Sequence, residues 1–371
     1  MLNKPVIPDL SIALQSAPPI RVLVVDDSAV VRQVFTCELN RDPRIQVVAT
    51  APDVYVARDR IVALQPDVIT LDISMPRMDG ITFLKRLMKH HPMPVIVISS
   101  LTTDGGLLAI EAMAAGAIDV LAKPSFSDDS KLFFRNLIEK VKGIAKSRIR
   151  YPTTSASQGP SQKSIAAKPA GELIFALGAS TGGVQALTQV LPAFPADAPG
   201  TLVVQHMPGE FTTSFAQRLN AICQMQVKEA VHGDRIARGH ILIAPGGFHM
   251  VLQRSKGCYH VELNQNAEVW HQRPSVDVLF DSIAECAGRN AVGVILTGMG
   301  TDGAQGLRHM REVGAHTLAQ DEASSIVFGM PMEAIKCGAA ESVVPLDQVA
   351  GTMMKMAQQP ANSCQKIPTS Y

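Results

Sequence analysis

Three residues in the second half of the chain are of the types that together hydrolyse esters and amides. Ser180 lies in LIFALGASTGG as Gly178-x-Ser180-x-Gly182, the spacing of a tight turn that presents a nucleophilic serine above a sheet. His206 follows directly on the apolar run TLVVQ, and Asp302 ends the segment AVGVILTGMGTD. A serine nucleophile needs a base, and the base needs an acid that orients it. The sequence therefore predicts acyl transfer to water, with Ser180 as nucleophile, His206 as base and Asp302 as acid.

Each of these residues also has a more ordinary interpretation. The Gly-x-Ser-x-Gly turn could cradle a phosphate or simply join a strand to a helix. His249, just past the run HILIAPGG, is the alternative base, and Asp277 and Asp281 are weaker candidates for the acid because they lie in a predicted amphipathic helix. Position favours His206, because sites in α/β sheets form at the carboxyl ends of strands.

The loop that carries Asp302 also has the spacing of a dinucleotide-binding turn, Gly298-x-Gly300-x-x-Gly303. Asp321 lies about where a ribose partner would be expected. However, the carboxylate of Asp302 would repel a pyrophosphate at close range, and the motif comes late in its domain rather than in the first βα unit. An NAD(P)-dependent enzyme is therefore the less favoured alternative.

Residues suited to phosphoryl chemistry lie at strand ends in the first half of the chain. Asp26 and Asp27 end the run RVLVV, and Asp72 ends VITL. Three carboxylates at one sheet edge repel one another, and Mg²⁺, which prefers oxygen ligands, would relieve that repulsion. Ser99 and Lys123 end two further runs and offer a hydroxyl and a positive charge for a phosphate. Singly, each could be a helix cap or a surface residue, but five together are hard to obtain by chance.

The pattern of short runs predicts two α/β domains that position these residues. Five apolar, β-branched runs alternate with helical segments in the first domain, which is typical of parallel strands buried on both faces. That pattern predicts a flavodoxin-like, doubly wound sheet of five parallel strands. The alternation resumes in a larger, Rossmann-like domain with a mostly parallel sheet. The predicted segments are an N-terminal extension (1–20), the first domain (21–140), a linker (141–172), the second domain (173–356) and a flexible tail (357–371).

The motifs VDDS, LDISMPRMDG, ISS and AKP resemble the receiver domain of response regulators, over roughly residues 21–140. The resemblance implies that Asp72 accepts a phosphoryl group and that Asp26, Asp27 and Asp72 bind Mg²⁺. It also implies that Ser99 is the hydroxyl switch and that Lys123 contacts the phosphoryl group.

The motifs GASTGG, QHMP, APGG-x-H and LTGMGTDG, which follow the receiver and the linker, resemble the chemotaxis receptor methylesterases of the CheB type. This resemblance covers about residues 21–355. It implies the catalytic roles given above for Ser180, His206 and Asp302, hydrolysis of glutamate γ-methyl esters on chemoreceptors with release of methanol, and deamidation of certain receptor glutamines. The backbone amides of Thr181 and Met299 are candidate donors to the oxyanion.

The same resemblance implies regulation and partners. The unphosphorylated receiver is expected to cover the active site, and a chemotaxis histidine kinase is expected to phosphorylate Asp72. The cytoplasmic domains of chemoreceptors are the expected substrate, and no cofactor is expected in the catalytic domain. A receiver coupled to a binding module without enzymatic activity is the other alternative.

Composition narrows the classes of partner and compartment. The formal net charge is +1, with 46% hydrophobic and 18% charged residues, and no cluster of Lys and Arg suggests a nucleic-acid partner. Pro5 and Pro8 interrupt the N-terminus before a signal-peptide apolar region can form. The six cysteines are scattered without metal-binding spacing. We therefore expect a cytoplasmic protein with free thiols that meets membrane receptors only through protein contacts.

Overall fold

The computed structural model describes residues 18–75, 80–99, 103–123, 130–145, 173–255 and 257–358. Most of the predicted N-terminal extension, linker and tail lies outside these residues, as does part of the LDISMPRMDG motif. Among the described residues, no helix is both long and apolar enough to cross a bilayer.

The first α/β unit is built around a five-stranded parallel sheet, as predicted. Its elements are β1 (Ile20–Val25), α1 (Ala29–Leu39), β2 (Ile45–Ala51), α2 (Val54–Leu64), β3 (Val68–Asp72), α3 (Gly80–His90), β4 (Val95–Ser99), α4 (Thr103–Ala114), β5 (Asp119–Ala122) and α5 (Ser130–Ile144). The strands lie in the order β2-β1-β3-β4-β5. The strands β3 and β4 are buried along their whole length, which is why they read as continuous apolar runs.

The second unit is built around a seven-stranded sheet with the order β14-β13-β12-β6-β7-β9-β8, in which every neighbouring pair is parallel. Its first elements are β6 (Ile174–Ala179), α6 (Gly183–Val190), a 3₁₀ turn (Leu191–Ala193), β7 (Gly200–Gln205), α7 (Gly209–Ile222), β8 (Gln226–Glu229), β9 (His240–Ile243), β10 (His249–Ser255) and β11 (Cys258–Asn264). The others are α8 (Val276–Ala287), β12 (Ala291–Ile295), α9 (Ala304–Glu312), β13 (His316–Gln320), α10 (Met330–Lys336), β14 (Ser342–Val344) and α11 (Leu346–Met356).

An antiparallel hairpin lies beside this sheet, where the sequence reading identified no strands. Strands β10 and β11 pair from His249↔Asn264 to Ser255↔Cys258. Apolar residues such as Met250, Leu252 and Val261 are buried and alternate with more exposed positions. The hairpin packs on α8, where Ser282 Oγ accepts a hydrogen bond from the Leu252 amide (2.9 Å). Buried side chains on both faces of the main sheet place the hydrophobic core on each side of β6 and β12.

The first and second units pack against each other near the carboxyl end of the seven-stranded sheet. Helix α4 lies on α7, and the contact is close: a Cβ at Gly106 would stand 2.7 Å from the carbonyl oxygen of Glu210. On α5, a Cβ at Gly143 would stand 3.3 Å from Met299 Sδ. These glycines allow the receiver to approach the start of α7 and the loop that follows β12.

Candidate active site

The three predicted catalytic residues follow three strands that are adjacent in the sheet. Ser180 comes directly after β6, His206 directly after β7, and Asp302 lies in the loop after β12. Because β12, β6 and β7 are neighbours and parallel, their carboxyl ends meet at one edge. The Ser180 amide donates to the carbonyl of Thr297 (3.1 Å) and the His206 amide to that of Ala179 (3.1 Å), which ties the three loops together.

The ring of His206 is held by Asp302. His206 Nε2 lies 2.7 Å from Asp302 Oδ2, and the two side chains are only 5% and 3% exposed. With Nε2 bonded to the carboxylate, Nδ1 is the ring nitrogen left to act as a base. Ser180 is 7% exposed, and its Oγ makes no hydrogen bond to any residue that the structure describes. Catalytic hydrogen bonds are often long or poorly aligned in active sites without substrate and tighten when the substrate binds.

The carboxylate of Asp302 accepts three more hydrogen bonds at the N-terminus of α8. Oδ1 accepts from Ser275 Oγ (2.7 Å) and from the Asp277 amide (3.0 Å), and Oδ2 accepts from the Val276 amide (2.7 Å). Burial raises the pKa of Asp302, but the bond to His206, its positive charge when protonated and the two helix amides outweigh burial and lower that pKa below its usual value. The carboxylate therefore stays ionised at neutral pH, and the dipole of α8 favours its negative charge.

The alternative base, His249, has a different place in this arrangement. It is 1% exposed, and its Nδ1 accepts a hydrogen bond from the Ser275 amide (3.2 Å). Its Nε2 therefore carries the proton and donates to the carbonyl of Ala267 (3.0 Å). Both ring nitrogens are occupied, so His249 supports Ser275, which in turn contacts Asp302.

Sequence reasoning did not single out Ser275, and it considered Asp277 only as a weaker candidate for the acid, whereas Asp277 supports Asp302 through its backbone amide. Ser275 caps α8 by accepting a hydrogen bond from the Val278 amide, and the same hydroxyl donates to Asp302. Asp277 contributes its amide to Asp302, while its carboxylate accepts from Trp270 Nε1 (2.9 Å) and the Gly306 amide (2.7 Å). Burial raises the pKa of Asp277, and the nearby negative charge of Asp302 raises it further. The sequence signal that could have identified Ser275 is its type and position, because serine is a common N-cap residue and Ser275 directly precedes the amphipathic segment of α8.

The two candidate oxyanion donors lie on the loops that follow β6 and β12. A Cβ at Gly298 would stand 2.8 Å from Ser180 Cβ, so glycine is required for the two loops to approach so closely. Gly182 has φ +78° and is the N-cap residue directly before α6. Among the hydrogen bonds of the described residues, none uses the amide of Thr181 or of Met299. Both amides are therefore available for a negative oxygen near Ser180.

The receiver touches Thr181, the residue that follows Ser180. Thr181 Oγ1 donates to Asp119 Oδ2 (2.8 Å), and Lys140 Nζ contacts both Asp119 Oδ2 and Thr181 Oγ1, the latter at 3.3 Å. We call these three side chains the Asp119 contact. The Gly182 amide also donates to the carbonyl of Ile118 (3.3 Å). The receiver thus binds the loop of Ser180 directly.

A second cluster of functional side chains lies at the carboxyl edge of the receiver sheet. Carboxylate oxygens of Asp26, Asp27 and Asp72 lie within 4.8 Å of one another. Lys123 Nζ lies 2.9 Å from Asp26 and 2.6 Å from Asp72, and Ser99 is fully buried at the end of β4. Burial, together with the charge of Asp72, raises the pKa of Asp26 despite the bond from Lys123. Crowded oxygen ligands of this kind suit a hard divalent cation, so these residues fit Mg²⁺.

Comparisons with known proteins agree with this arrangement over both units. A family model described as CheB methylesterase matches residues 175–353, and one described as response regulator receiver domain matches residues 22–133. A protein-glutamate methylesterase/protein-glutamine glutaminase from Syntrophus aciditrophicus is 54% identical over 91% of this chain and 99% of its own. One from Pseudomonas aeruginosa is 48% identical over 91% and 97%. The CheB methylesterase catalytic domain of Thermotoga maritima is 35% identical, with a TM-score of 0.50, over 50% of this chain and 100% of its own.

Proposed function

Because the chain belongs to the CheB methylesterase family and carries a response-regulator receiver domain, we propose that it is a receiver-controlled serine hydrolase of chemoreceptors. It demethylates glutamate γ-methyl esters and deamidates specific glutamines to glutamate. The observation that carries the proposal is the 2.7 Å bond between His206 and Asp302 beside Ser180, at the meeting point of three adjacent strands.

The proposed reaction is acyl transfer through Ser180. Ser180 Oγ attacks the ester carbonyl while His206 Nδ1 takes its proton, and Asp302 stabilises the imidazolium that forms. The amides of Thr181 and Met299 stabilise the developing oxyanion. His206 then returns the proton to the departing methoxide, so that methanol leaves and an acyl-enzyme remains. Water hydrolyses the acyl-enzyme by the same steps, and a glutamine substrate differs only in releasing ammonia.

The proposed control starts at Asp72. Asp26, Asp27 and Asp72 would hold Mg²⁺, which when bound neutralises charge on an incoming phosphoryl group. Asp72 accepts that group from a chemotaxis histidine kinase, and Lys123 pairs with it once it is attached. Lys123 already bonds Asp26 and Asp72, so phosphorylation redistributes its contacts at the end of β5. Asp119, the first residue of β5, contacts Thr181 in the loop of Ser180. Strand β5 therefore connects the phosphorylation site to the Asp119 contact.

Substituting Asp72 by Asn should abolish the response to a small-molecule phosphodonor, because an amide cannot accept the phosphoryl group. We expect methanol release from methylated receptor membranes to rise with the phosphodonor for the unsubstituted chain and to stay constant for Asp72→Asn. Asp53→Asn is the matched control, since Asp53 caps α2 in the same domain and Asn caps helices equally well. Equal stimulation of Asp72→Asn and the unsubstituted chain would contradict the control mechanism.

Removing the carboxylate of the Asp119 contact should raise the activity of the unphosphorylated protein. Asp119→Ala deletes hydrogen bonds to Thr181 and Lys140, and a charge-assisted bond is worth about 1.5–3 kcal/mol. We therefore expect methanol release without phosphodonor to rise by about 10-fold, with a smaller further rise on phosphorylation. The measurement is the initial rate with and without phosphodonor.

The matched control for this substitution is Glu139→Gln. Glu139 lies on α5 beside Lys140 and pairs with Lys142, on a half-exposed side of the helix. We expect it to leave the unstimulated rate within about twofold, since exposed pairs contribute little. If Asp119→Ala behaved like Glu139→Gln, the Asp119 contact would not restrain the enzyme.

A further inference from the structure

A strained turn presents the single tryptophan of the chain beside the site. Val269 and Gln272 exchange two backbone hydrogen bonds (3.2 and 2.9 Å) around Trp270 and His271. Both central residues have positive φ, +54° and +58°, as a type I′ turn requires. Asn and Gly are the usual residues there, and other residues cost of the order of 1–3 kcal/mol each. Backbone strain of this kind is typical of functional positions, which makes Trp270 a candidate for a functional role.

The indole of Trp270 is held by a hydrogen bond and is also exposed to solvent. Trp270 is 57% exposed, yet its Nε1 donates to Asp277 Oδ2 (2.9 Å). The Asp277 amide in turn donates to Asp302 Oδ1 (3.0 Å). The indole is thus held in one orientation close to the acid of the triad, while much of its apolar surface has no protein to cover it. A large, rigid aromatic side chain in this state is typical of a binding surface.

The ring borders a cavity of about 390 Å³ beside the loop that carries Asp302. Thr301, the residue before Asp302, and Ala304, at the start of α9, line it together with Trp270. The other described lining residues are Gln305 on α9 and Glu333, Lys336 and Cys337 on or directly after α10. All the lining residues that the structure describes belong to the second unit.

We infer that Trp270 and this cavity form the subsite for the stretch of receptor polypeptide next to the modified glutamate. The inference rests on the proposed function, because a glutamate side chain that enters the site brings its own backbone and neighbours across the surrounding surface. Thr301, which lines the cavity, directly precedes Asp302 in the chain, so the cavity lies beside the loop that carries Asp302. An apolar side chain of the receptor packs against the indole and fills the space above Thr301. Trp270 is a specificity-determining residue that touches the substrate.

The intrinsic fluorescence of Trp270 reports on this subsite directly, because the chain has one tryptophan. The full-length Ser180→Ala protein, which binds without turnover, is titrated with a methylated receptor fragment that lacks tryptophan, in the presence of phosphodonor. We expect a saturable change in emission intensity or wavelength. An emission spectrum that stays constant while light scattering or calorimetry records binding would overturn the inference.

Kinetics of substitutions in the turn supply the second test. Trp270→Asn removes the ring but suits the positive φ, so the turn is retained, and we expect its KM for the receptor to rise by about 10-fold with kcat reduced less than threefold. Trp270→Phe should recover most of the KM because it restores an aromatic surface. His271→Asn is the matched control in the same turn, outside the cavity lining, and its KM should stay within about twofold.

Hydrolysis of a small ester, which carries no receptor polypeptide, distinguishes a contact between Trp270 and the receptor from an effect of Trp270 on the catalytic residues. If Trp270→Asn slowed hydrolysis of p-nitrophenyl acetate as much as that of the receptor ester, the residue would act only through Asp277 and the inference would be wrong. An unchanged receptor KM would also overturn it. Failure of the proposed function is distinct from both outcomes, since the unsubstituted chain would then release no methanol from methylated receptors.

Discussion

Replacing Ser180 by Ala is expected to lower methanol release from methylated receptors by about 10⁶-fold, the scale seen when the nucleophile of a triad is removed. In the proposed mechanism the hydroxyl of Ser180 attacks the carbonyl, and the neighbouring hydroxyl of Thr181 is hydrogen-bonded to Asp119 instead. The substitution should cost little stability, because Ser180 Oγ makes no hydrogen bond to a described residue. The measurement is the initial rate of methanol release with phosphodonor, together with the thermal unfolding temperature.

Ser255→Ala is the control for this substitution. Ser255 ends β10 on the exposed tip of the hairpin, and we expect its rate to match that of the unsubstituted chain. If Ser180→Ala kept more than a few per cent of the rate while remaining folded, the nucleophile would be another group and the proposed mechanism would be wrong.

Replacing Asp302 by Asn is expected to lower kcat by about 10⁴-fold, as the loss of the acid does in other triads. The carboxylate accepts from four donors: His206 Nε2, Ser275 Oγ and the amides of Val276 and Asp277. An Asn side chain has one acceptor oxygen, so its NH₂ group must face donors in either orientation. If the NH₂ group faces His206 Nε2, that nitrogen must accept, and the ring proton moves to Nδ1, which can then no longer act as the base. If the NH₂ group faces the other side, Ser275 Oγ and the Asp277 amide lose their acceptor.

The same substitution should show a characteristic pH dependence of stability. The pKa of Asp302 is depressed in the folded protein, so its carboxylate stabilises the fold at pH values above the unfolded-state pKa. That contribution is lost as the pH falls through the folded-state pKa. We therefore expect Asp302→Asn to be less stable than the unsubstituted chain at neutral pH, with a difference that narrows in acid. Asp281→Asn, which removes an exposed partner of His309 on α8, is the control and should show a small, nearly constant difference.

The residues that follow strands were accessible to sequence reasoning for a physical reason. Parallel strands buried on both faces are continuous apolar runs, so the polar residue that ends each run, such as Ser180, His206 or Asp72, is conspicuous. Once the runs are assigned to one sheet, their carboxyl ends must share an edge. The five-stranded receiver sheet and the larger parallel sheet follow from the same periodicity.

The supporting residues were not accessible in this way. Ser275 and Asp277 meet Asp302 only because the N-terminus of α8 packs against the loop after β12, a contact between residues more than 20 positions apart. Asp119 read as the first residue of a strand, and its carboxylate acquires a partner only when the receiver packs on Thr181. The alternation of apolar and polar residues along β11, CYHVELN, is the pattern of a half-buried strand and was available in the sequence, whereas β10, HMVLQRS, lacks a regular alternation.

The contacts of Asp302 and Asp321 assign other roles to the residues of the dinucleotide-like motif Gly298-x-Gly300-x-x-Gly303. Asp302 is 2% exposed and turned toward His206 and α8, where its carboxylate is fully engaged by donors. Asp321 accepts hydrogen bonds from the amide and hydroxyl of Ser324 and so closes a local turn. The glycines of this loop serve its close approach to Ser180, as the contact at Gly298 shows.

The most direct test of the account is the rate at which a fluorophosphonate reagent labels Ser180 in the full-length protein. The reagent forms a covalent bond only with a serine activated by its base, and peptide mass spectrometry locates the label. We predict that Ser180 is labelled, that the rate rises when a phosphodonor is added, and that this rise is absent in Asp72→Asn. Labelling at another residue, or a rate for the unsubstituted chain that is the same with and without phosphodonor, would contradict a receiver-controlled esterase that acts through Ser180.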